Sequence, residues 1–188
     1  MENVLGLLRV RVLRGVNLAS RDAGGSDAYV VLRMGDQKLK TSVKKNSLNP
    51  EWNEDLTLCV TDPIQPLKLP SFLLVILSIL DELKLQTAIM LQEVYDKDTF
   101  TPDDIMGDAE LDIRPFMDAI KMDLAGIPNV TIITTVRPSR QNCLADDSHI
   151  SRKDGTVAQD VVLRLRNVES GEVELQLLWV NIPHAQDI

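Results

Sequence analysis

The chain has 188 residues, 44% of them hydrophobic and 4% aromatic, which is enough for one domain with a sound core and short for two. A formal net charge of −8 excludes general nucleic-acid binding, which needs a basic field, but not membrane contact, where local patches outweigh the total. Cys59 and Cys143 are the only cysteines, too few for a disulfide framework, and fit a reducing compartment.

The opening MENVLGLLRVRV carries an acid early and arginines within its apolar run, so it does not read as a secretory signal. Leu8, Val10 and Val12 alternate with Arg9 and Arg11, the period of a half-buried strand. YVVLRM from Tyr29 and DLTLCV from Asp55 predict two further strands. Between them, DQKLKTSVKK supplies Lys38, Lys40, Lys44 and Lys45; a strand there puts Lys38 and Lys40 on one face.

FLLVILSIL, Phe72 to Leu80, stops at Asp81, Glu82 and Lys84 after about half the length that a hydrocarbon core requires, which excludes a transmembrane helix. The surrounding stretch, Pro70 to Gln92, behaves as an apolar insertion. Joining Leu69 to Glu93 gives PLKLEVYDKD, in which Leu67, Leu69 and Val94 share one face. Two readings stand: the insertion is extruded as a long loop, which costs little closure entropy, or ELKLQ (82–86) takes over the strand.

Further on, Pro115 is placed to open a short helix. Phe116, Ile120 and Leu124 form its apolar stripe, and Gly126 is placed to end it. Ala125 to Thr156 has mixed polarity and few strong signals, and reads as a long, partly ordered excursion. NVT at Asn129 matches a glycosylation pattern that only secretion would make relevant. VVLRLRN and EVELQLLWV, parted by the turn signal NVESGE, predict a final hairpin. Short alternating strands separated by polar loops make this an all-β chain, an antiparallel β-sandwich.

The densest chemistry lies in VYDKDTFTPDDIMGD, Val94 to Asp108. Asp96, Asp98 and Asp104 stand at i, i+2 and i+8 on a loop leaving a strand. A second acidic loop, SRDAGGSDAYV, carries Asp22 and Asp27. Such acids either cap turns and face water or converge on a hard cation, and Ca2+ takes six to eight oxygen ligands at flexible angles. No EF-hand loop is present.

GGSDAYVVL (Gly24 to Leu32), NPEWNE (Asn49 to Glu54) and YDKD followed by DDIMGDAELDI (within Tyr95 to Ile113) resemble, in order, the signatures of the C2 domain, the calcium-dependent lipid-binding sandwich. The resemblance implies an eight-stranded antiparallel β-sandwich, here with one short helix and a long inserted loop. Two Ca2+ ions would be held by Asp22, Asp27, Asp96, Asp98 and Asp104, with backbone carbonyls from Arg21 and Lys97. Asp103 is a neighbour of the ligands. The short N-terminus and the run from CLADDSHISRKDGTV to LLWVNIP, starting at Cys143, resemble the small plant C2-domain abscisic-acid-related proteins and their GTPase-activating relatives. That implies a single C2 domain over 1–183 with a tail over 184–188. The 125–156 excursion becomes a family signature, and 70–92 a departure from the family. It also implies calcium-dependent binding to an anionic phospholipid surface and hormone-receptor and GTPase protein partners. The expected places are the cytoplasm, the plasma-membrane periphery and the nucleus.

Within that frame Phe100 either dips into the membrane interface or packs beneath its loop. Lys38, Lys40 and Lys44 either bind phosphoinositides or guard an edge strand. No nucleophile elbow, phosphate loop or zinc spacing of Cys59, Cys143, His149 and His184 supports an enzyme. A GTPase activator commonly supplies an arginine; Arg137, Arg140 and Arg152 are available in the excursion.

Overall fold

The computed structural model describes residues 4–20, 25–61, 89–98, 102–122 and 124–182. Among them, β1 runs Val4–Val16, β2 Ala28–Met34, β3 Gln37–Lys40, β4 Glu51–Thr61, β5 Ile89–Asp96 and β6 Asp104–Asp112. Helix α1, Arg114–Ile120, precedes β7 Ile132–Val136, β8 Ser148–Lys153, β9 Thr156–Arg164 and β10 Glu172–Val180. The strands form a six-stranded sheet in the order β4-β1-β10-β9-β8-β7 and a four-stranded sheet in the order β3-β2-β5-β6. Every pairing is antiparallel.

The alternation read from the sequence is what closes the sandwich. Leu8, Val10 and Val12 of β1 and Val173, Leu175, Leu177 and Trp179 of β10 face the interior. Val30 and Leu32 of β2, Met90 and Val94 of β5, and Ala109 and Leu111 of β6 meet them from the other sheet. A one-residue slip of any of these strands would turn its whole apolar set to solvent, so burial fixes register. Truncating Leu8 or Leu177 to Ala would cost about 2–5 kcal/mol.

Four expectations are corrected. First, among the described residues two strands are added to the expected eight: β7 and β8 extend the β9 edge of the larger sheet. They come from the 125–156 excursion. Ile132–Val136 and Ser148–Lys153 are short and only weakly alternating, yet their backbone groups find a ready template on β9. Second, the insertion ends earlier than Gln92. Ile89–Gln92 lie in β5, and Met90, Gln92, Val94 and Asp96 are all buried at alternate positions. The strand is therefore built from IMLQ; ELKLQ (82–86) and most of the 70–92 stretch lie outside the described residues. Third, α1 stops at Ile120 and not at Gly126, because only Phe116 and Ala119 need full burial. Ile120 and Leu124 pack on the core as flanking groups, and Gly126, at φ +78°, sits in a turn. Fourth, Arg114 and not Pro115 takes the first helical position. No helix among the described residues is long and apolar enough to cross a membrane.

The segments after β1, β3 and β5 emerge at one end. Ala28 pairs with Asp96, Asp96 with Asp104, and Ala28 also bridges Lys44. This juxtaposition sets the geometry of the site.

Candidate functional site

Asp27 is the hub of that end. Its N–H donates to Asp96 Oδ1 at 2.6 Å, its carbonyl accepts the Lys97 N–H at 3.0 Å, and its Oδ1 accepts the Asn46 N–H at 3.0 Å. One residue thereby ties the β1–β2, β3–β4 and β5–β6 connections together. NPEWNE acts beside it. The Pro50 and Leu48 carbonyls accept the Gly15 and Leu18 N–H groups, and Asn49 Oδ1 accepts the Asn17 N–H. Trp52 Nε1 donates to the Ser42 carbonyl, and Glu54 accepts the Ser42 N–H and hydroxyl. The motif is thus a staple that holds the first two connections at fixed spacing.

Asp96 ends β5 with its carboxylate only 1% exposed. Oδ1 is used by Asp27, while Oδ2 is buried with no hydrogen-bond partner among the described residues. A buried carboxylate oxygen left alone loses its hydration without return, a cost of about 1–3 kcal/mol or more. Asp98 is half-buried one step beyond, and Asp104, directly across the ladder from Asp96, is exposed. The structure therefore brings Asp27 and Asp96 into contact, with Asp104 opposite and Asp98 adjacent. Arg21, Asp22 and Phe100 lie outside the described residues, so the first acidic loop is represented by Asp27 alone. Among the described residues no three His, Cys, Asp or Glu side chains form a metal-holding group.

Asp103 has a role that the sequence reading, treating it as a neighbour, did not assign. Its Oδ1 accepts Lys97 Nζ at 2.6 Å and the Asp98 N–H at 3.3 Å, and its Oδ2 accepts the Tyr29 hydroxyl at 2.6 Å. It ties Lys97 and Asp98 to the start of β6 and to Tyr29 of β2. The Lys97 ammonium and the Tyr29 hydroxyl hold its carboxyl well below the usual range, at about 2. Burial first, then Asp103, raises the Tyr29 phenol. No spacing rule marks Asp103; the signal is its pairing with Tyr29, which appears only when β2 and β5 lie side by side.

Tyr29 and Tyr95 stack at 5.4 Å on the outer face of the smaller sheet, and Lys40 Nζ stands 5.8 Å from the Tyr29 ring centre. Lys38 and Lys40 point outward together from β3, which is the sheet's edge strand. Lys44 is half-buried and bridges Ala28. A cavity of about 270 Å3 opens beside them, lined by Tyr29, Lys40, Thr41, Ser42, Val43, Lys97 and Asp103.

Of the three excursion arginines, Arg152 is engaged: its Nη1 donates to the Ile127 carbonyl. Arg137 and Arg140 are exposed on the β7–β8 connection. Asn142 stiffens that connection, since its Oδ1 accepts the Ser139 and Leu144 N–H groups and its Nδ2 donates to the Arg137 carbonyl. The Asn129 side chain of NVT pairs with Asp154 through two hydrogen bonds. His149 is exposed, with Nδ1 2.9 Å from the Thr135 hydroxyl.

Comparison with known proteins agrees with this construction. The C2 domain sequence profile matches residues 6–125. Protein C2-DOMAIN ABA-RELATED 4 of Arabidopsis thaliana is 51% identical over 188 residues, covering 100% of this chain and 93% of that protein. GTPase activating protein 1 of Oryza sativa subsp. indica is 50% identical over 186 residues, covering 99% of this chain and 98% of its own length. Among solved structures, a C2 domain of plant Extended Synaptotagmin 1 aligns with a TM-score of 0.56 at 22% identity, over 96% of this chain and 98% of that one. The calcium-bound tandem C2 domains of Extended-Synaptotagmin 2 align with a TM-score of 0.59 at 19% identity, over 96% of this chain and 48% of that one. The two structural likenesses speak for the fold alone, whereas the full-length sequence identities place the chain more narrowly: it belongs to the C2 domain family and, within it, to the plant C2-domain ABA-related proteins and their GTPase-activating relative.

Proposed function

We propose that this protein is a calcium-dependent phospholipid-binding adaptor that docks signalling partners at the plasma membrane and stimulates GTP hydrolysis by one of them. It is not itself catalytic. The observation that carries the calcium reading is Asp96, whose buried Oδ2 lacks a partner among the described residues at the end of the sandwich where Asp27, Asp98 and Asp104 lie. Those residues suit a hard cation, with Asp22 and the Arg21 and Lys97 carbonyls as further ligands by family resemblance. Five carboxylates carry about −5, and two Ca2+ ions would leave about −1. Bound calcium supplies positive charge and open coordination positions for lipid phosphate or carboxylate oxygens.

The chain's own residues do the rest. Asp27 fixes the spacing of the three connections, and Asp103 ties Asp98 to Tyr29. Lys38, Lys40 and Lys44 offer a second contact with anionic headgroups, and Phe100 a contact with the interface. The GTPase partner is inferred from the name GTPase activating protein and the abscisic-acid setting from ABA-RELATED, while a hormone-receptor partner rests on family resemblance. Peripheral plasma membrane, cytoplasm and nucleus are the places such an adaptor would work.

A calcium-independent scaffold is the competing reading. It draws on the Lys97–Asp103 pair, which already neutralises part of the third loop, and on the lack of a three-acid group among the described residues. Co-sedimentation with phosphatidylserine vesicles separates the two. The adaptor pellets with calcium and stays in solution with chelator; equal pelleting in both, or in neither, supports the scaffold.

A further inference from the structure

The cavity beside β3 is lined by two ammonium groups in unequal states. Lys97 Nζ lies 2.6 Å from Asp103 Oδ1, a charge-assisted hydrogen bond. Lys40 has no carboxylate within ion-pair distance among the described residues and stands over the Tyr29 ring. The other polar groups of the wall are already engaged. The Tyr29 hydroxyl donates to Asp103 Oδ2, the Thr41 hydroxyl serves Val30 and Ser42, and the Ser42 hydroxyl donates to Glu54. An ammonium and a hydroxyl converging on two oxygens of one anion is also how a phosphate is held, and here the anion is the protein's own.

We propose that Asp103 is an internal competitor for the phosphate of an inositol-lipid headgroup, holding Lys97 so that the cavity offers Lys40 alone until Asp103 releases that ammonium. The proposal rests on the lipid-contacting reading of the lysine face and adds a residue that sets its threshold. A phosphate entering beside Lys40 meets the Asp103 carboxylate and is repelled by it. Once Lys97 turns on its flexible stem from Asp103 to the phosphate, both ammonium groups serve the ligand. Asp103 keeps the Asp98 N–H and the Tyr29 hydroxyl during the exchange.

The test uses the full chain in chelator, with phosphatidylcholine vesicles carrying a few per cent phosphatidylinositol bisphosphate, and in parallel soluble inositol trisphosphate. Asp103→Asn is expected to raise affinity about fivefold, the effect of one local charge near an anionic surface. Asp36→Asn makes the same charge change on the exposed β2–β3 turn and is expected to do nothing. In a Lys97→Met background the gain from Asp103→Asn is expected to shrink, because only the repulsion is then relieved and no ammonium is freed. In the otherwise unchanged chain Lys40→Met should weaken binding more than Lys97→Met, because Lys97 is already occupied. That comparison decides the matter if Asp103→Asn fails to melt cooperatively.

An equal gain from Asp36→Asn, a gain undiminished by loss of Lys97, or equal losses from the two lysine variants overturns the proposal. A gain on vesicles without one on the soluble headgroup also overturns it, since the effect would then belong to the surface and not the cavity. If the unchanged chain binds these vesicles and Asp103→Asn adds nothing, only the competitor role falls. If the unchanged chain ignores them with and without calcium, the lysine-face reading falls with it.

Discussion

The Asp27 N–H donates to Asp96 Oδ1 at 2.6 Å, and the other oxygen of the same carboxylate is buried with nothing to accept from among the described residues. This half-satisfied arrangement makes a prediction of unusual sign. Asp96→Asn keeps an oxygen for the Asp27 N–H and removes a buried charge. In chelator it should stabilise the protein by about 1–3 kcal/mol, raising Tm by about 2–4 °C per kcal/mol. With calcium present the ordering reverses, because only the aspartate gains from the ion. Melting curves in chelator and in millimolar calcium, beside calcium calorimetry, check both halves. A variant less stable than the parent in chelator would show that Asp96 is satisfied without metal.

Gln92 shares that strand and is fully buried, with neither Oε1 nor Nε2 hydrogen-bonded among the described residues. It stands between Met90 and Val94 on the inner face, where an apolar residue would cost nothing. Gln92→Leu is expected to stabilise by about 1–3 kcal/mol, read as a rise in the denaturant midpoint with an unchanged slope. No change would mean that the amide is already served, for example by an internal water.

The contrast between these two residues shows what the sequence could reveal. Asp96 was legible because D-x-D at a strand end, with an acid to follow, is a spacing with a physical meaning. The β1, β2, β4, β9 and β10 strands were legible for a related reason: Leu8, Val10 and Val12, or Val173, Leu175 and Leu177, alternate strictly because one sheet face is core and the other is water. Gln92 was hidden because the strand read most naturally as Leu67 and Leu69 running into Glu93, and nothing local tells a polar residue that its neighbours will bury it. β7 and β8 were hidden because edge strands owe their existence to the template beside them and not to their own pattern. Asp103 was hidden because its partner Tyr29 is far away in the chain and adjacent only in the folded sheet.

If an arginine of this chain acts on a GTPase, Arg152 is the wrong one, since it spends its guanidinium on the Ile127 carbonyl. Arg137→Ala and Arg140→Ala are expected to lower stimulation of GTP hydrolysis by a partner, with Tm within about 1 °C of the parent because both side chains are exposed. Arg152→Ala should instead lower Tm, and any loss of stimulation should track that destabilisation. Full stimulation by the Arg137→Ala, Arg140→Ala double variant would remove both from the reaction.

Val130 combines a φ of +64° with 75% exposure, a left-handed conformation that a β-branched side chain rarely takes. Its backbone is held there because the Val130 N–H donates to the Arg152 carbonyl and Asn129 is clamped to Asp154. Val130→Asn, which tolerates this region, should therefore stabilise by about 1 kcal/mol. A destabilised variant would mean that the isopropyl group makes contacts worth more than the strain.

Arg11 and Asp55 face each other across β1 and β4 in a two-pronged pair, with Nε–Oδ1 at 2.7 Å and Nη2–Oδ2 at 3.1 Å. The Arg11 hydrogen bonds lower the Asp55 carboxyl below its ordinary value of 3.8. A carboxylate depressed in the folded state adds stability that is fully present above its unfolded value, near pH 4, and disappears as pH falls through the depressed value. Both side chains are partly exposed, so the pair is worth at most about 1 kcal/mol. Arg11→Gln should accordingly lower Tm by a few degrees at pH 7, and the difference from the parent should shrink steadily between pH 4 and acid denaturation. A gap that stays constant over that range would show that Arg11 contributes through its packed stem and not through Asp55.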